Sequence, residues 1–161
     1  GHGVTEDSAM AGEQQFATFF VDGLFFGVEV LKVQEVIRYQ TMTHVPLAPP
    51  EVQGLINLRG QIVTALDLRR RLALAARPDD ALPMNVVVRT DDGAVSLLVD
   101  EIGDVVEVSE EQFEQPPETI AGVARDLIRG VYKLRERLLL ILDTDKTIQL
   151  GGAGSAAELV Q

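Results

Sequence analysis

Cysteine is absent from this chain of 161 residues, which removes disulfide frameworks, thiolate nucleophiles and every cysteine-based metal or cluster site. Histidine is nearly as scarce. Only His2 and His44 occur, and His2 lies in a Gly-His-Gly start without an initiator Met that reads as a tag remnant. One usable imidazole nearly closes off zinc chemistry and histidine-based triads. Aromatic residues make up 5% of the chain against 46% hydrophobic residues overall, so the core has to be built from Val, Leu and Ile. Positive charge is also short: 14 Lys and Arg against 25 Asp and Glu give a net charge of −11. Nucleic-acid binding therefore fails on charge, and again on the lack of an aromatic platform. The longest clean apolar run, Leu138–Leu142, covers five residues, where a membrane span needs about 20. Residues 1–14 are small and polar, with no apolar signal-peptide segment. The expectation is a soluble cytoplasmic protein, with no membrane insertion and with flexible segments at 1–14 and 151–161.

What the chain does have is short β-rich runs. Gln15–Val21 and Leu24–Val28 flank Asp22-Gly23, and Met84–Thr90 and Ala94–Val99 flank Asp92-Gly93. Asp-Gly between two such runs signals a hairpin, because a type I′ turn needs positive φ at both central residues. Further strands read at Ile37–Thr43, Leu55–Leu58, Ile62–Leu66, Gly130–Leu134 and Leu138–Asp143, apolar on both faces as in small closed barrels or packed sheets. Helical signals are fewer. Leu31–Val36 allows one or two turns, Pro49-Pro50-Glu51-Val52 suits a short helix start, and Leu66–Ala76 reads as a helix with Asp67 near its N-terminus. Ser109-Glu110-Glu111-Gln112 fits a capped turn.

The chain also resembles itself. Gly-x-x-x-Leu-Arg-x-x-x-x-x-x-Leu-Asp occurs twice, matching Gly54 with Gly130, Leu58 with Leu134, Arg59 with Arg135, Leu66 with Leu142 and Asp67 with Asp143. Each Asp-Gly hairpin is followed by a related stretch, Val28-Glu29-Val30-Leu31 and Val99-Asp100-Glu101-Ile102. Two related halves of roughly 70 residues are each near the lower limit for an independent core. They are expected to pack together, with binding at the seam between them.

Catalytic equipment is thin. Gly54–Gly60 lacks the spacing of a phosphate-binding loop. His44 has no acidic neighbour and reads as a loop histidine. Asp79-Asp80, Asp91-Asp92 and Glu110-Glu111 read as solvated turns, without the calcium-loop pattern. Arg69-Arg70-Arg71 reads as an exposed helix face that forms a basic spot in an acidic protein. Arg59, beside a turn-forming glycine, carries two readings. It is either bridged to Asp67 or Glu51, or presented as a carboxylate-recognising anchor at an interface.

The segment Gly54-Leu55-Ile56-Asn57-Leu58-Arg59-Gly60, with its follow-on Ala65-Leu66-Asp67-Leu68-Arg69, closely resembles the signature of the CheW family, the coupling proteins of bacterial chemotaxis. The resemblance runs from Gln15 to Leu150 and includes Val28–Val36, Val45-Pro46, Val99-Asp100 and Leu140–Asp143. It implies a mainly β fold: a single domain over 15–150 made of two intertwined five-stranded SH3-like β-barrels with a few short helices and a hydrophobic groove between them. It implies a non-catalytic adaptor, without metal or cofactor, that ties the cytoplasmic tips of methyl-accepting chemotaxis receptors to the regulatory domain of the histidine kinase CheA in membrane-associated arrays. Receptor contact is carried over to Val33, Glu35 and Arg59, with Gly54 and Asn57 holding the loop and Val30 and Val99 lining the groove beside Val33. Kinase contact is carried over to Tyr39, Met42 and Val45, which would give one partner site per barrel. One position departs from the family: many members have Gly where this chain has Glu101, and its glycine comes two residues later, at Gly103. Two other readings stay open. One is a CheW-like regulatory module of a larger kinase or of an adaptor fused to a receiver domain. The other is an enzyme or ligand binder using the seam as a pocket.

Overall fold

The computed structural model describes residues 13–120 and 122–150; the two terminal segments expected to be flexible lie outside this range, except for Glu13 and Gln14. Those two already belong to the first strand, β1 (Glu13–Val21), which pairs with β2 (Leu24–Glu29). The Asp22-Gly23 turn between them has φ of 50° and 78°, the doubly left-handed geometry that Asp-Gly favours. A 3-10 turn at Val30–Lys32 leads into β3 (Val33–Ile37). The expected helix over Leu31–Val36 is thus a single tight turn followed by a strand, consistent with a run rich in β-branched valine. The expected strand over Ile37–Thr43 survives only at its ends, as Ile37 in β3 and as an isolated bridge from Thr43 to Leu55.

The hairpin of β4 (Val52–Leu58) and β5 (Gln61–Asp67) runs into a short helix, α1 (Leu68–Arg71). The helix begins where the Asp67 carboxylate accepts the Arg69 N–H at 3.1 Å and stops after one turn, well short of the expected Ala76. Ala73 takes φ 58°, while Leu74 N–H reaches Arg69 O at 2.8 Å and Ala73 N–H reaches Arg70 O at 3.0 Å. This is a left-handed C-terminal cap with alanine where glycine is usual. The second half repeats the plan. Its hairpin, β6 (Met84–Thr90) with β7 (Gly93–Val99), turns at Asp91-Asp92, one residue earlier than expected. Two short strands follow, β8 (Glu101–Ile102) and β9 (Val106–Ser109). A turn in which the Gln112 side chain accepts the Ser109 N–H at 2.9 Å then gives β10 (Phe113–Glu114). After α2 (Gly122–Leu127) come β11 (Ile128–Lys133), β12 (Leu138–Leu142) and α3 (Thr144–Thr147).

The halves exchange hairpins. β1–β2 of the first half joins β11–β12 of the second through the parallel pairing of β2 with β12, giving a seven-stranded sheet. β6–β7 of the second half joins β4–β5 of the first through the parallel pairing of β7 with β5, giving a five-stranded one. The orders β9-β1-β2-β12-β11 and β3-β6-β7-β5-β4 are equivalent, so the duplication seen in the sequence is an intertwined pseudo-twofold. Each sheet closes when the chain leaving one edge strand reaches the other edge: β9 continues to β10 on β11, and β3 continues to Thr43 beside β4. The sheet that contains β1 and β2 has seven strands rather than the expected five because β8 and β10 are counted in it.

The repeated residues have repeated jobs. Asp67 caps α1, and its counterpart Asp143 caps α3 by accepting the Lys146 N–H at 3.0 Å. The two sheets share the largest core cluster, with Phe19, Phe26 and Leu140 from one side and Leu66, Leu97 and Val99 from the other. This cluster fills the seam. Val99, expected to line an accessible groove there, is fully buried, because β7 is flanked by β5 and β6 and covered on both faces.

Candidate functional site

The β4–β5 hairpin closes on Arg59-Gly60, paired as Leu58 with Gln61. Both turn residues are left-handed, at φ 53° and 89°, and the Asn57 side-chain oxygen accepts the Gly60 N–H at 2.8 Å. This side-chain bond fixes the turn from within. Arg59 is thereby held away from the sheet, its side chain 71% exposed, and ion-paired with Glu35 of β3. The partner is neither Asp67 nor Glu51, because barrel closure brings the β4–β5 turn over β3. Asp67, at the far end of β5, instead faces Arg77 at 3.5 Å. The Arg59 hydrogen bond is the main influence holding the Glu35 carboxyl below the usual carboxylate range. Partial burial opposes it, and Gln34 and the Arg59 charge add to it.

Around this pair the expected residues divide. Val33 packs against the inter-barrel core and Val30 is half-buried in the preceding turn. A bulge between Val33 and Glu35 breaks the simple alternation of the strand, and Arg89 donates to Val33 O at 2.7 Å and Leu31 O at 3.0 Å. Exposed aliphatics adjoin the pair in sequence: Ile62, opposite Asn57, at 47% exposure and Val36 at 39%. Neither is among the contact residues expected from the sequence, and both stand on solvent-facing strand positions near the presented arginine.

Gly54 is not part of the turn. It sits within β4, where an added Cβ would lie 2.7 Å from Thr43 O, and Thr43 and Leu55 exchange two backbone hydrogen bonds of 2.8 Å. Glycine is needed so that the chain leaving β3 can close the barrel against β4. The aligned Gly130 meets the Phe113 ring instead, with its nearest carbon at 2.9 Å. That ring is 45% exposed and held by an edge contact to Tyr132 at 5.6 Å, and a side chain yields more readily than backbone. Gly54→Ala is therefore expected to cost about 1–3 kcal/mol and Gly130→Ala clearly less. Urea unfolding of the two variants checks this, and equal costs would contradict the closure argument.

Of the three expected kinase contacts, Tyr39 and Met42 line one cleft of about 300 Å³, together with Gln53, Arg70 and Leu82. Val45 is half-buried and outside that lining. Tyr39 and Met42 follow β3, and Gln53 lies in β4. Both expected contact sets thus belong to the five-stranded barrel, not one to each barrel.

The arginine run also differs from its expected exposed face. Only Arg70 is exposed. Arg69 binds Asp100 through Nη2 at 2.7 Å and Nε at 3.1 Å, and also faces Asp22 at 3.5 Å. Arg71 donates to the carbonyls of Thr147, Lys146 and Gln149 at 2.7, 2.9 and 2.8 Å, closing the C-terminal end of α3, while burial pushes its own pKa down. At the position that departs from the family, Gly103 N–H bonds to Thr18 O at 2.9 Å. An added Cβ there would stand 2.5 Å from the Thr18 hydroxyl, so the glycine requirement in this chain falls at Gly103.

A family model described as the CheW-like domain matches residues 15–151. The chain belongs to the CheW-like family. It is 32% identical over 149 residues to the chemotaxis protein CheW of Klebsiella aerogenes, spanning 91% of this chain and 90% of that protein. It is 32% identical over 146 residues to the chemotaxis protein CheW of Bacillus subtilis, spanning 89% and 92%. The crystal structure of the scaffolding protein TtCheW from Thermoanaerobacter tengcongensis shares the fold, with a TM-score of 0.78 at 23% identity over 88% of this chain and 96% of that one. In this CheW-like domain the matched span begins two residues inside β1 and ends just after Leu150, the last core residue of the shared cluster. Among the described residues no helix is long and apolar enough to cross a membrane.

Proposed function

We propose that this protein is a non-catalytic adaptor that holds the cytoplasmic tips of methyl-accepting chemoreceptors to the regulatory domain of the histidine kinase CheA. The observation that carries the reading is Arg59. A left-handed two-residue turn, itself braced by Asn57, keeps a guanidinium 71% exposed beside Glu35. A receptor tip offers an amphipathic helical face. The exposed aliphatics Val36 and Ile62 supply apolar contact to it, while the charged pair sets register. Kinase contact is assigned to the cleft at Tyr39 and Met42, on the same barrel, so a docked receptor and a docked kinase are held as near neighbours and their effective concentration rises without any chemistry. On this reading the protein works in the cytoplasm, recruited to receptor arrays at the membrane.

Calorimetry of the full chain with a receptor signalling fragment and, separately, with a CheA regulatory domain tests the reading. Both are expected to bind. Arg59→Glu is expected to weaken the receptor fragment roughly tenfold or more and to leave kinase affinity unchanged, with an unaltered circular dichroism spectrum. A folded Arg59→Glu protein that binds the receptor fragment normally would refute the anchor role.

A further inference from the structure

A second concavity, of about 490 Å³, lies on the seven-stranded barrel and shares no residue with the Glu35–Arg59 pair. Leu24, Phe25, Ile120 and Leu138 give it an apolar lining, and Glu136 and Arg137 stand in the same lining. Its size falls within the range of about 300–1,000 Å³ typical of small-molecule clefts. The feature that gives it chemistry is Arg137. Its guanidinium carbon sits 5.2 Å from the Phe20 ring centroid and 5.1 Å from that of Phe25, and the two rings are themselves a pair at 4.9 Å. A cation seated on two aromatic faces is held in place without neutralisation of its charge.

Arg137 also differs from the arginines fixed by backbone carbonyls, as Arg71 and Arg89 are, and from those fixed by ion pairs. Arg59, Arg69, Arg77 and Arg129 each have a carboxylate partner, whereas Arg137 has none among the described residues, its charged group meeting only the two rings. The loop that carries it is closed by the Leu134 N–H bond to Arg137 O at 2.9 Å, so the guanidinium is presented from a braced backbone. In a chain of net charge −11, a fixed and unneutralised cation over an apolar floor is a recognition element for an anion with an apolar body. We propose that this groove binds a small organic acid, its apolar group lying on Leu24, Phe25 and Leu138 and its carboxylate meeting the Arg137 guanidinium. The neighbouring Glu136 is exposed, and its carboxylate opposes the ligand's charge through screened solvent, a modest penalty.

The test uses the full chain, isotopically labelled for amide NMR, with N-acetyl-L-phenylalanine as probe and N-acetyl-L-phenylalaninamide as its uncharged counterpart. The acid is expected to shift the amides of Leu24, Phe25, Arg137 and Leu138 and to bind roughly fivefold tighter than the amide, the scale of one exposed charge pair. Arg137→Gln, at an exposed position, is expected to keep the fold and abolish that preference, while Glu136→Gln tightens the acid alone. Raised salt is expected to weaken the acid and not the amide. Equal binding of acid and amide, shifts that map away from the groove, or no saturable shift up to about 10 mM would each overturn the proposal.

Discussion

Asp100→Ala is expected to destabilise the protein by about 3 kcal/mol, the lower end of what removing one member of a buried ion pair costs. The carboxylate sits at the junction of the two barrels. It receives Arg69 Nη2 at 2.7 Å, Arg77 Nε at 3.2 Å and the Asp22 backbone N–H at 2.7 Å. Asp22 lies in the β1–β2 turn of one sheet, whereas Arg69 follows β5 of the other. Both arginine side chains are 11% exposed and Asp100 19%, so alanine would take the nearest carboxylate from two guanidinia with little solvent to replace it, leaving Arg69 with Asp22 and Arg77 with Asp67, each at 3.5 Å. Arg77 Nη2 already lacks a hydrogen bond, although it stands 3.5 Å from Asp67. Losing Asp100 would leave this arginine with that distant carboxylate alone. The melting temperature should fall by roughly 6–12 °C. The double change Arg69→Met with Asp100→Leu is expected to recover only part of the loss, because it removes one buried charge pair together and still leaves Arg77 without its Asp100 partner. A single-variant loss below about 1 kcal/mol, the ordinary worth of an exposed pair, would mean that the network is not a clamp.

The same group sets an acid limit. Burial pushes the Asp100 pKa up, but the Arg69 hydrogen bond, the Asp22 N–H and the charges of Arg69 and Arg77 together hold it below the ordinary aspartate value. A carboxyl whose folded pKa lies below its unfolded value contributes stability that is fully present above the unfolded pKa, about 3.9. That contribution disappears as the pH falls through the folded pKa. Denaturation curves should therefore weaken below about pH 4, and Asp100→Asn should flatten that part of the profile.

Phe26→Ala should cost more, about 4 kcal/mol within the range for deleting a buried aromatic side chain, and should weaken both sheets together. Phe26 is 1% exposed and stacks on Phe19 at 6.2 Å. Although it belongs to the seven-stranded sheet, its cluster includes Leu66, Leu97 and Val99 of the other. Each barrel has a smaller interior cluster of its own, with Ile56, Val63 and Leu98 in one and Phe16, Leu139 and Ile141 in the other, but the cluster that holds Phe26 is built from both. Unfolding is expected to remain one transition, with amide exchange accelerated in β5 and β7 as well as in β1 and β2. Two separable transitions, or faster exchange confined to the seven-stranded sheet, would disprove the shared core.

Much of this was readable in the chain. Asp22-Gly23 and Arg59-Gly60 specify their turns locally, since few residues tolerate positive φ. Asp67 marks the start of a helix, whereas the helix capped by Asp143 was not expected, although the repeated Leu-Asp pointed to it. The spacing of Gly54 and Gly130 exposed the duplication even though the reason for each glycine, the Thr43 backbone at one and the Phe113 ring at the other, was not visible. Other features depended on neighbours far along the sequence. Arg69 and Arg71 look like any exposed basic run until Asp100, 31 positions on, and the α3 carbonyls are brought beside them. Val99 looks like a groove residue until a second sheet covers it.

The order of residues determined the local geometry: where the backbone turns left-handed, where short helices begin, and which strands are apolar on both faces, because these depend on steric and hydrogen-bonding preferences within a few positions. Hairpin exchange, the filled seam, the Glu35 partner of Arg59 and the shared location of the Tyr39 cleft were decided only when the chain closed on itself. Burial and charge pairing are set by residues that meet across the barrels, and separation along the chain carries no record of those meetings.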